Sequence, residues 1–293
     1  MTVYTFKITI NSCIHQSLRG STKRDILRFA LICTISISVM NVVPIKALNT
    51  NYIWTIITDQ HATIVDPGEA SQVIQYLADH ELTCTNIIIT HHHPDHTGGV
   101  KALLEHFPNT PVYGPDLTHL GLETTDVSKE ENIKIKGFTK PWQIIPTPGH
   151  TLDHLCFYNP GYLFCGDTLF SAGCGRIFEG TPEQMFHSLN LIKNLPPETL
   201  VYPGHEITLD NIDFAESIDN ENPDLAHYKK ETTKRLSQKQ PSLPSTLDLE
   251  LKVNPFLRTE TPMIQNKISQ QLSRNINTPL DTFIALRKLK DHF

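Results

Sequence analysis

The sequence predicts an α/β fold followed by a helical C-terminal region, and two observations support this. Between Val42 and Val201, short apolar stretches typical of strands alternate with longer stretches typical of helices. After Thr208 we expect no further strands, because the remaining periodic segments are helical and are separated by proline-containing turns. Periodicity alone leaves two arrangements open, a doubly wound sheet and a sandwich of two sheets.

Local signals place the elements of the first part. Apolar periodicity predicts helices over residues 71–82 and 97–107. The turn sequence Asn159-Pro160-Gly161 lies between two apolar stretches and predicts a hairpin. Thr181, with Gln184 three residues later, predicts a helix start with a capping box.

In the C-terminal part the same reasoning predicts helices over residues 211–217, 223–236 and 261–274. A last helix is expected to start at Thr278-Pro279, since threonine caps helices and proline is tolerated at their first position. This helix carries Arg287 and Lys290 one turn apart.

Composition excludes several classes of protein. The 293 residues are 39% hydrophobic and 19% charged, which is ordinary for a globular chain, and the net charge of −6 argues against nucleic-acid binding. The cysteines follow no CxxC spacing, so we expect neither a thiolate zinc site nor a disulfide framework, and a reducing cytosol fits best. They are Cys13, Cys33, Cys84, Cys156, Cys165 and Cys174. Cys165 is expected to be a buried core thiol.

The most informative motif is THHHPDH at residues 90–96, directly after the apolar run of residues 87–89. A β-branched run of this kind is typical of a buried strand, so the histidines fall on the loop at its C-terminal end. His91 and His93 can converge on one ion, while Asp95 and His96 lie further round the turn and can serve a second. The alternative is a solvated histidine-rich loop.

Three further turns carry metal-ligand residue types beside apolar segments, namely Gly149-His150, Gly166-Asp167 and Gly204-His205. Each is a weak signal by itself, because such residues cap turns and helices in many proteins. Together with the first motif they give seven ligands, enough for two ions if one carboxylate bridges them. The seven are His91, His93, Asp95, His96, His150, Asp167 and His205.

Two neighbouring histidines are not expected to be ligands. His92 lies between two ligands, and the alternation of an extended chain points it away from them. His154 is expected to be a core residue or a partner of a ligand.

The order HxHxDH, then His, Asp and His at strand ends, resembles the metallo-β-lactamase fold hydrolases. Within that superfamily, GDTLFSAGCGR at residues 166–176 and NPFLR at residues 254–258 resemble signatures of glyoxalase II, the hydroxyacylglutathione hydrolases. The resemblance covers residues from about Met40 to Phe293. It implies an αβ/βα sandwich with metals at one edge, comprising a catalytic domain over residues 40–208 and a helical substrate-binding domain over residues 209–293.

Family ligation, carried to these positions, puts His91, His93 and His150 on one metal and Asp95, His96 and His205 on the other, with Asp167 bridging. Because all these ligands are nitrogen or oxygen, zinc is the expected ion, with iron or manganese as alternatives. Two divalent ions lower the pKa of a shared water from 15.7 toward about 7, so no catalytic serine or cysteine is required. Asp95 and Asp167 are the expected catalytic carboxylates.

The resemblance also implies the substrate contacts. Arg287 and Lys290 would bind the glycine carboxylate of glutathione, and Arg176 would be a third basic contact. The resemblance also implies two departures, since Phe178 stands where some family members have tyrosine and Ile207 where many have an aromatic hydroxyl. We therefore expect one hydrogen bond to the substrate to be missing. Without the resemblance, basic residues near a helix C-terminus simply complement its dipole.

The expected reaction is hydrolysis of S-D-lactoylglutathione to D-lactate and glutathione, by a cytoplasmic monomer without nucleic-acid or membrane partners. A persulfide dioxygenase is one rival, although it uses a single iron and lacks the helical C-terminal region. A metallo-β-lactamase or a tRNA-processing nuclease would lack the Arg287 and Lys290 pair. A catalytically inactive metal-binding protein of the same fold is the rival from another class.

Residues 1–39 differ from the rest of the chain. Basic residues precede the uncharged segment of residues 29–43, as in a signal peptide, but no A-x-A cleavage site follows. The segment is also shorter than the ~20 residues of a spanning helix. We expect an upstream extension, either a misassigned start or a signal-like segment, and the intact mass of the native protein tests this.

Overall fold

The computed structural model of the protein describes residues 40–293, and the expectation for residues 1–39 lies outside the described residues. The first sheet contains β1 (Asn41–Ala47), β2 (Asn51–Thr58), β3 (His61–Val65), β4 (Thr83–Ile88), β5 (Val112–Gly114) and β6 (Thr125–Asp126), hydrogen-bonded in that order. Strand β4 is parallel to β3 and β5, whereas β2 is antiparallel to both of its neighbours.

The second sheet contains β7 (Asn132–Ile133), β8 (Trp142–Pro146), β9 (Leu155–Asn159), β10 (Tyr162–Gly166), β13 (Leu200–Pro203) and β14 (Ser245–Thr246). Its strand order is β14-β13-β10-β9-β8-β7. A short separate hairpin is formed by β11 (Leu169–Phe170) and β12 (Gly173–Cys174). The hairpin predicted at residues 159–161 is confirmed, since β9 and β10 pair antiparallel across it and Gly161 has a φ of 93°.

The helices are α1 (Ser71–Asp79), α2 (Pro94–Thr97), α3 (Val100–His106), α4 (Pro182–Lys193), α5 (Thr208–Ile218), α6 (Pro223–Ser237), α7 (Leu247–Val253), α8 (Pro262–Leu272) and α9 (Pro279–Asp291). The capping box between Thr181 and Gln184 is confirmed. Among the described residues, no helix has both the length and the apolar character that crossing a membrane requires.

Two sequence-based expectations are wrong. Strands do not stop after Thr208, because β14 pairs antiparallel with β13, and its two residues are too few to show a periodicity. The helix expected over residues 97–107 is divided into α2 and α3 at Gly98-Gly99. A Cβ at either glycine would lie within 2.7 Å of backbone in residues 67–70, so this pair lets that loop cross closely, and the Gly99 N–H donates to Pro67.

The core explains why the apolar run of residues 87–89 has no polar face. Ile88 packs between the two sheets, with Trp54 and Phe157, whereas Ile87 and Ile89 pack beneath the helices on the outer face of the first sheet. Helices α4 and α9 cover the outer face of the second sheet in the same way. The fold is therefore the αβ/βα sandwich with a helical C-terminal region.

Strand directions bring the ligand-bearing loops to one edge. Strands β8 and β10 are both antiparallel to β9 and so run parallel to each other, and β13 is parallel to β10. Their carboxyl ends therefore meet at the same edge of the second sheet. Hydrogen bonds from Leu155 to Thr90 and from Tyr52 to Gly204 join this edge to the first sheet.

Candidate metal centre

Three imidazoles converge where β4 and β8 end. His91 and His93 lie on the loop after β4, and His150 lies on the loop after β8. The Nδ1 atom of His93 is 3.0 Å from Nε2 of His91 and 3.0 Å from Nε2 of His150. Nitrogens that bind one tetrahedral ion at about 2.0–2.1 Å lie roughly 3.3 Å apart, so the observed spacing fits one shared cation.

A second group lies beside the first and contains Asp95, His96 and His205. The Oδ2 atom of Asp95 is 3.3 Å from Nε2 of His96 and 3.3 Å from Nε2 of His205. His205 reaches this position from the loop after β13, whereas Asp95 and His96 belong to α2. One carboxylate and two imidazoles thus face a common point.

Asp167 follows β10 and lies between the two groups. Its Oδ2 atom is 3.4 Å from Nε2 of His150 and 3.3 Å from Nε2 of His205, and its Oδ1 atom is 3.5 Å from Nε2 of His96. The carboxylate therefore contacts members of both groups, which is where a bridging ligand belongs.

Two atoms at the centre of this arrangement indicate that a cation belongs there. The Nε2 atom of His96 and the Oδ1 atom of Asp167 are buried and have no hydrogen-bond partner among the described residues. Buried polar atoms without partners are rare and costly. Imidazole nitrogens and carboxylate oxygens are ligands of divalent first-row metals, so the residues present fit a divalent-metal site. The structure brings all seven predicted ligands together here.

Asp66 supports the second group, and the sequence does not predict this because Asp-Pro-Gly also forms ordinary turns. Its Oδ1 atom accepts from the Thr90 N–H, and its Oδ2 atom accepts from the Thr90 hydroxyl and lies 3.0 Å from Nδ1 of His96. With its Nδ1 bound in this way, His96 directs Nε2 into the site. One feature of the sequence does point to this role, because Asp66 directly follows β3, the strand beside the one that carries the histidine motif.

His154 supports the bridging carboxylate. Its Nε2 atom accepts from the Asp167 backbone N–H at 3.1 Å, and its Nδ1 atom lies 2.9 Å from the Thr147 hydroxyl. Burial, with the nearby His150, lowers the pKa of His154 well below its usual range, so the ring is neutral. His154 is therefore a partner of a ligand.

Thr50, just before β2, and Asn51, its first residue, hold the other two residues of the second group. The Thr50 hydroxyl lies 2.9 Å from Nδ1 of His205, and the Asn51 amide donates to Oδ2 of Asp95 at 3.0 Å. These bonds fix the orientation of each ligand from outside the cluster.

The ionisation of the two groups differs. Burial lowers the pKa of His91, His93 and His150, so these imidazoles are neutral, as metal ligands are. In the second group, burial lowers the pKa of His205, but the Asp167 carboxylate outweighs burial and raises that pKa to about 9. A cation that binds to the second group therefore displaces a proton.

The carboxylates of the site are ionised. Burial raises the pKa of Asp167, but His96 and His205 outweigh burial and hold that pKa well below its usual range. For Asp95 burial acts in the same direction, and the nearby His205 and His96 again outweigh burial and lower the pKa. Both side chains are thus available as anionic ligands.

His92 points away from both groups, as the alternation of an extended chain predicts. Its Nδ1 atom is 3.0 Å from Asp153 and its Nε2 atom is 3.3 Å from Glu179. Asp153 and Glu179 lie on two other loops, so His92 links three loops outside the two groups.

A cavity of about 560 Å³ opens beside the cluster. It is lined by His150, Asp167 and His205 and by the basic residues Arg176, Arg287 and Lys290. The structure thus brings the three predicted cations together with the metal-ligand groups in one cavity.

The three cations are anchored to different degrees. Arg287 is only 6% exposed, and its Nη1 atom donates to the Cys174 carbonyl at 2.8 Å. Lys290 donates to the Asp210 carbonyl at 2.9 Å. The Arg176 side chain is 62% exposed, and its nearest carboxylate is Asp291 at 3.8 Å.

Apolar side chains complete the cavity. Phe178 is 62% exposed, and the centroid of its ring lies 5.2 Å from that of His150 and 5.7 Å from that of His93. Ile207, which precedes α5, also lines the cavity.

Comparison with known proteins agrees with this geometry. Residues 48–205 match the family model described as metallo-beta-lactamase superfamily, and residues 206–293 match the model described as hydroxyacylglutathione hydrolase C-terminus. A hydroxyacylglutathione hydrolase of Pseudoalteromonas translucida is 45% identical over 85% of this chain and 98% of its own length. That of Idiomarina loihiensis is 44% identical over 86% of this chain and 100% of its own length.

Among solved structures, TTHA1623 in a di-iron-bound form is 26% identical and superimposes with a TM-score of 0.53, covering 74% of this chain and 100% of that protein. The two family models together account for residues 48–293, and the relatives match over nearly their full length. The chain belongs to the hydroxyacylglutathione hydrolase family of the metallo-beta-lactamase superfamily.

Proposed function

We propose that the chain hydrolyses S-(2-hydroxyacyl)glutathione thioesters, chiefly S-D-lactoylglutathione to D-lactate and glutathione, the second step of methylglyoxal detoxification. The observation that carries this proposal is one cavity that contains both Asp167, between two ligand groups, and the three cations Arg176, Arg287 and Lys290. An anionic tripeptide bound by the cations would place its thioester beside the metal-ligand groups.

In this proposal His91, His93 and His150 would hold one ion, Asp95, His96 and His205 would hold the other, and Asp167 would be shared between them. Zinc is the proposed metal, because the donors are nitrogen and oxygen only, and iron or manganese are the alternatives. When bound, two such ions supply an activated water at neutral pH and polarise the thioester carbonyl.

Asp95 and Asp167 are the proposed catalytic residues. Both carboxylates are ionised and face the centre of the cluster, so each can accept a hydrogen bond from the attacking water and orient it. The leaving thiolate needs no protonation by the protein, because the pKa of a free thiol is roughly 8.5.

The cavity contains no activated nucleophile among the described residues. Cys174 lines it, but burial raises the pKa of its thiol. Cys165, next to the Gly166-Asp167 turn, is fully buried, and burial raises its pKa as well. Both thiols are thus protonated at neutral pH, which leaves direct attack by water as the route.

Substrate binding is assigned to the opposite part of the cavity. Arg287 and Lys290 would bind the glycine carboxylate of glutathione, Arg176 would supply a further positive charge, and Phe178 would contact the tripeptide backbone. We place the domain division at residues 208/209, with all seven metal-ligand residues before it and the two cations of the last helix, Arg287 and Lys290, after it.

We further propose a cytoplasmic monomer. The cysteines among the described residues are all free and buried, as is usual in a reducing compartment, and they are Cys84, Cys156, Cys165 and Cys174. Size-exclusion chromatography with light scattering tests the oligomeric state.

The proposal is tested by following loss of thioester absorbance with S-D-lactoylglutathione, using the purified protein before and after chelation. We expect turnover that the chelator abolishes and that metal restores. The Asp167→Ala variant should lose at least about 10³-fold in kcat/KM, since it lacks the bridging ligand. The Asp116→Ala variant, which alters an exposed residue outside the cavity, is the matched control.

Absence of turnover by fully metal-loaded protein would overturn the proposal. Oxygen consumption with glutathione persulfide would then test the single-iron dioxygenase. Metal binding without turnover of any thioester or persulfide would instead indicate a catalytically inactive member of the fold.

A further inference from the structure

Glu250 is a buried carboxylate that the proposed mechanism does not use. It lies on α7, is 0% exposed and forms no ion pair with a described residue. Burial raises the pKa of its carboxyl group. Its Oε1 atom accepts from the Ser171 hydroxyl, and its Oε2 atom accepts from the Ala172 N–H at 2.8 Å and from the Asn254 amide at 3.2 Å. Burying a carboxylate without a counter-ion costs free energy of folding. The hydrogen bonds that Glu250 accepts therefore indicate a specific structural role.

The segment that Glu250 holds has a strained backbone. Ala172 has a φ of 54°, a left-handed conformation that residues with a Cβ adopt rarely. Two asparagines hold the same segment, since Asn254 donates to the carbonyls of Phe170 and Gly173, and Asn211 donates to the carbonyl of Ser171. We call Glu250, Asn254 and Asn211 the clamp.

The clamped segment forms part of the substrate cavity. Phe170 and Cys174, at its two ends, line the cavity, and the Cys174 carbonyl accepts the hydrogen bond from Nη1 of Arg287. Arg287 in turn packs over the Phe256 ring. Its Nε and Nη2 atoms pair with Asp291 on the same helix, so the Cys174 carbonyl is the contact that ties the proposed carboxylate-binding guanidinium to the clamped segment.

Hydrogen bonds outside the clamp hold two of the metal-ligand residues, and the clamped segment approaches a third where the ring centroids of Phe170 and His205 lie 5.8 Å apart. Asp167 is held through its backbone by His154, and His96 is held by Asp66. None of these bonds involves a residue of the clamp. A change in the clamp should consequently alter substrate binding and leave the metal content intact.

We propose that Glu250 is a positioning residue for substrate binding, which fixes residues 171–172 and thereby holds the Cys174 carbonyl and Arg287 in their binding arrangement. The inference rests on the proposed function, because it assigns the glutathione carboxylate to Arg287.

The first variant is Glu250→Ala, measured by the KM and kcat for S-D-lactoylglutathione, the Kd for glutathione by calorimetry and the metal content. We expect KM and Kd to rise about tenfold, kcat to stay within about twofold and two metals per chain to be retained. Glu250→Gln should stay within about twofold of wild type, because its amide oxygen still accepts from the Ala172 N–H and its amide nitrogen can donate to Ser171.

A double variant with Arg287 distinguishes a positioning role of Glu250 from general destabilisation of the fold. The Glu250→Ala/Arg287→Ala double variant should have the same KM as Arg287→Ala alone, since the first change acts through the second residue. Ile268→Ala, which removes buried volume from α8 without touching the clamp, should lower the thermal midpoint and leave KM unchanged. If Glu250→Ala does not fold, Ser171→Ala removes one hydrogen bond of Glu250 and should raise KM about threefold with the same coupling.

Unchanged KM and Kd in Glu250→Ala, or effects additive with Arg287→Ala, would overturn the inference. Loss of metal with a fall in kcat would also overturn it, by showing that Glu250 acts on the metal centre. If the wild type does not hydrolyse the thioester, the proposed function fails, and the Kd for glutathione still decides whether Glu250 positions Arg287.

Discussion

The two sides of the cavity are held together in different ways. On the metal side, buried hydrogen bonds fix the ligands from outside the cluster, with Asp66 on His96 and His154 on Asp167. On the substrate side, Lys290 has one hydrogen bond and Arg176 is largely exposed. The metal side is thus held throughout by buried hydrogen bonds, whereas on the substrate side only Arg287 among the three cations is buried and fixed by the clamped segment.

The largest effect on the metal side is expected for Asp66→Asn, which should weaken metal binding. Loss of the carboxylate frees the His96 ring, and such outer partners typically contribute about 10- to 100-fold in metal affinity or activity. We expect weaker binding of one of two metals, and kcat should fall at limiting metal while KM changes little. Competition with a chelator of known affinity measures this.

An Asp66→Asn protein with wild-type metal affinity but a raised KM would show that Asp66 supports substrate binding and not the metal ligands. Asp126→Asn, an exposed change in the same sheet, is the control.

Next in size is the pH dependence of the metal-free protein. The folded pKa of His205, about 9, lies above its ordinary value of 6.5, so protonation of this ring stabilises the fold. That stabilisation is fully present below about pH 6.5 and is lost as the pH rises through about 9. Metal affinity should rise over the same window, by about tenfold per pH unit for each proton displaced.

Thermal unfolding of the chelated protein and metal competition, each measured between pH 6 and 10, check both trends. His205→Gln should flatten them. A metal-free protein that gains stability across this window would contradict the assignment.

A smaller effect is expected on the substrate side, where Arg287→Ala should raise KM about tenfold and Arg176→Ala only about threefold. The reason is that Arg287 is buried and oriented, whereas a solvent-exposed charge is screened by water and salt. Steady-state kinetics at two salt concentrations measure both values. Equal effects of the two changes would show that burial does not determine the contribution of these cations.

The smallest effect is expected for Ile207→Tyr. The residue lines the cavity at the position where the family resemblance predicts an aromatic hydroxyl, and one hydrogen bond is worth about 1 kcal/mol, so KM should fall up to about fivefold. Ile207→Phe is the matched control without the hydroxyl. A fall in KM for both variants would assign the gain to ring contact.

The convergence of the seven proposed ligands could be predicted from the sequence because each has a metal-ligand side chain and lies within a few residues of the end of an apolar strand. Asp66 could not be assigned in the same way, since its role depends on β3 lying beside β4. Strand β14 and helix α7 were also beyond prediction. The first has only two residues, and the pairing partner that defines it lies about forty residues away.

The basic pair near the C-terminus shows the same limit. Sequence placed Arg287 and Lys290 on one helix, but only the structure shows that Arg287 is anchored by the Cys174 carbonyl. That contact joins residues far apart in the chain, so no local pattern encodes it.

The most direct test of the central claim is to titrate the metal-free protein with zinc while measuring hydrolysis of S-D-lactoylglutathione. Two ligand groups sharing Asp167 predict that activity rises to a plateau at two equivalents of zinc per chain. A plateau at one equivalent, or no activity at two, would contradict the binuclear account.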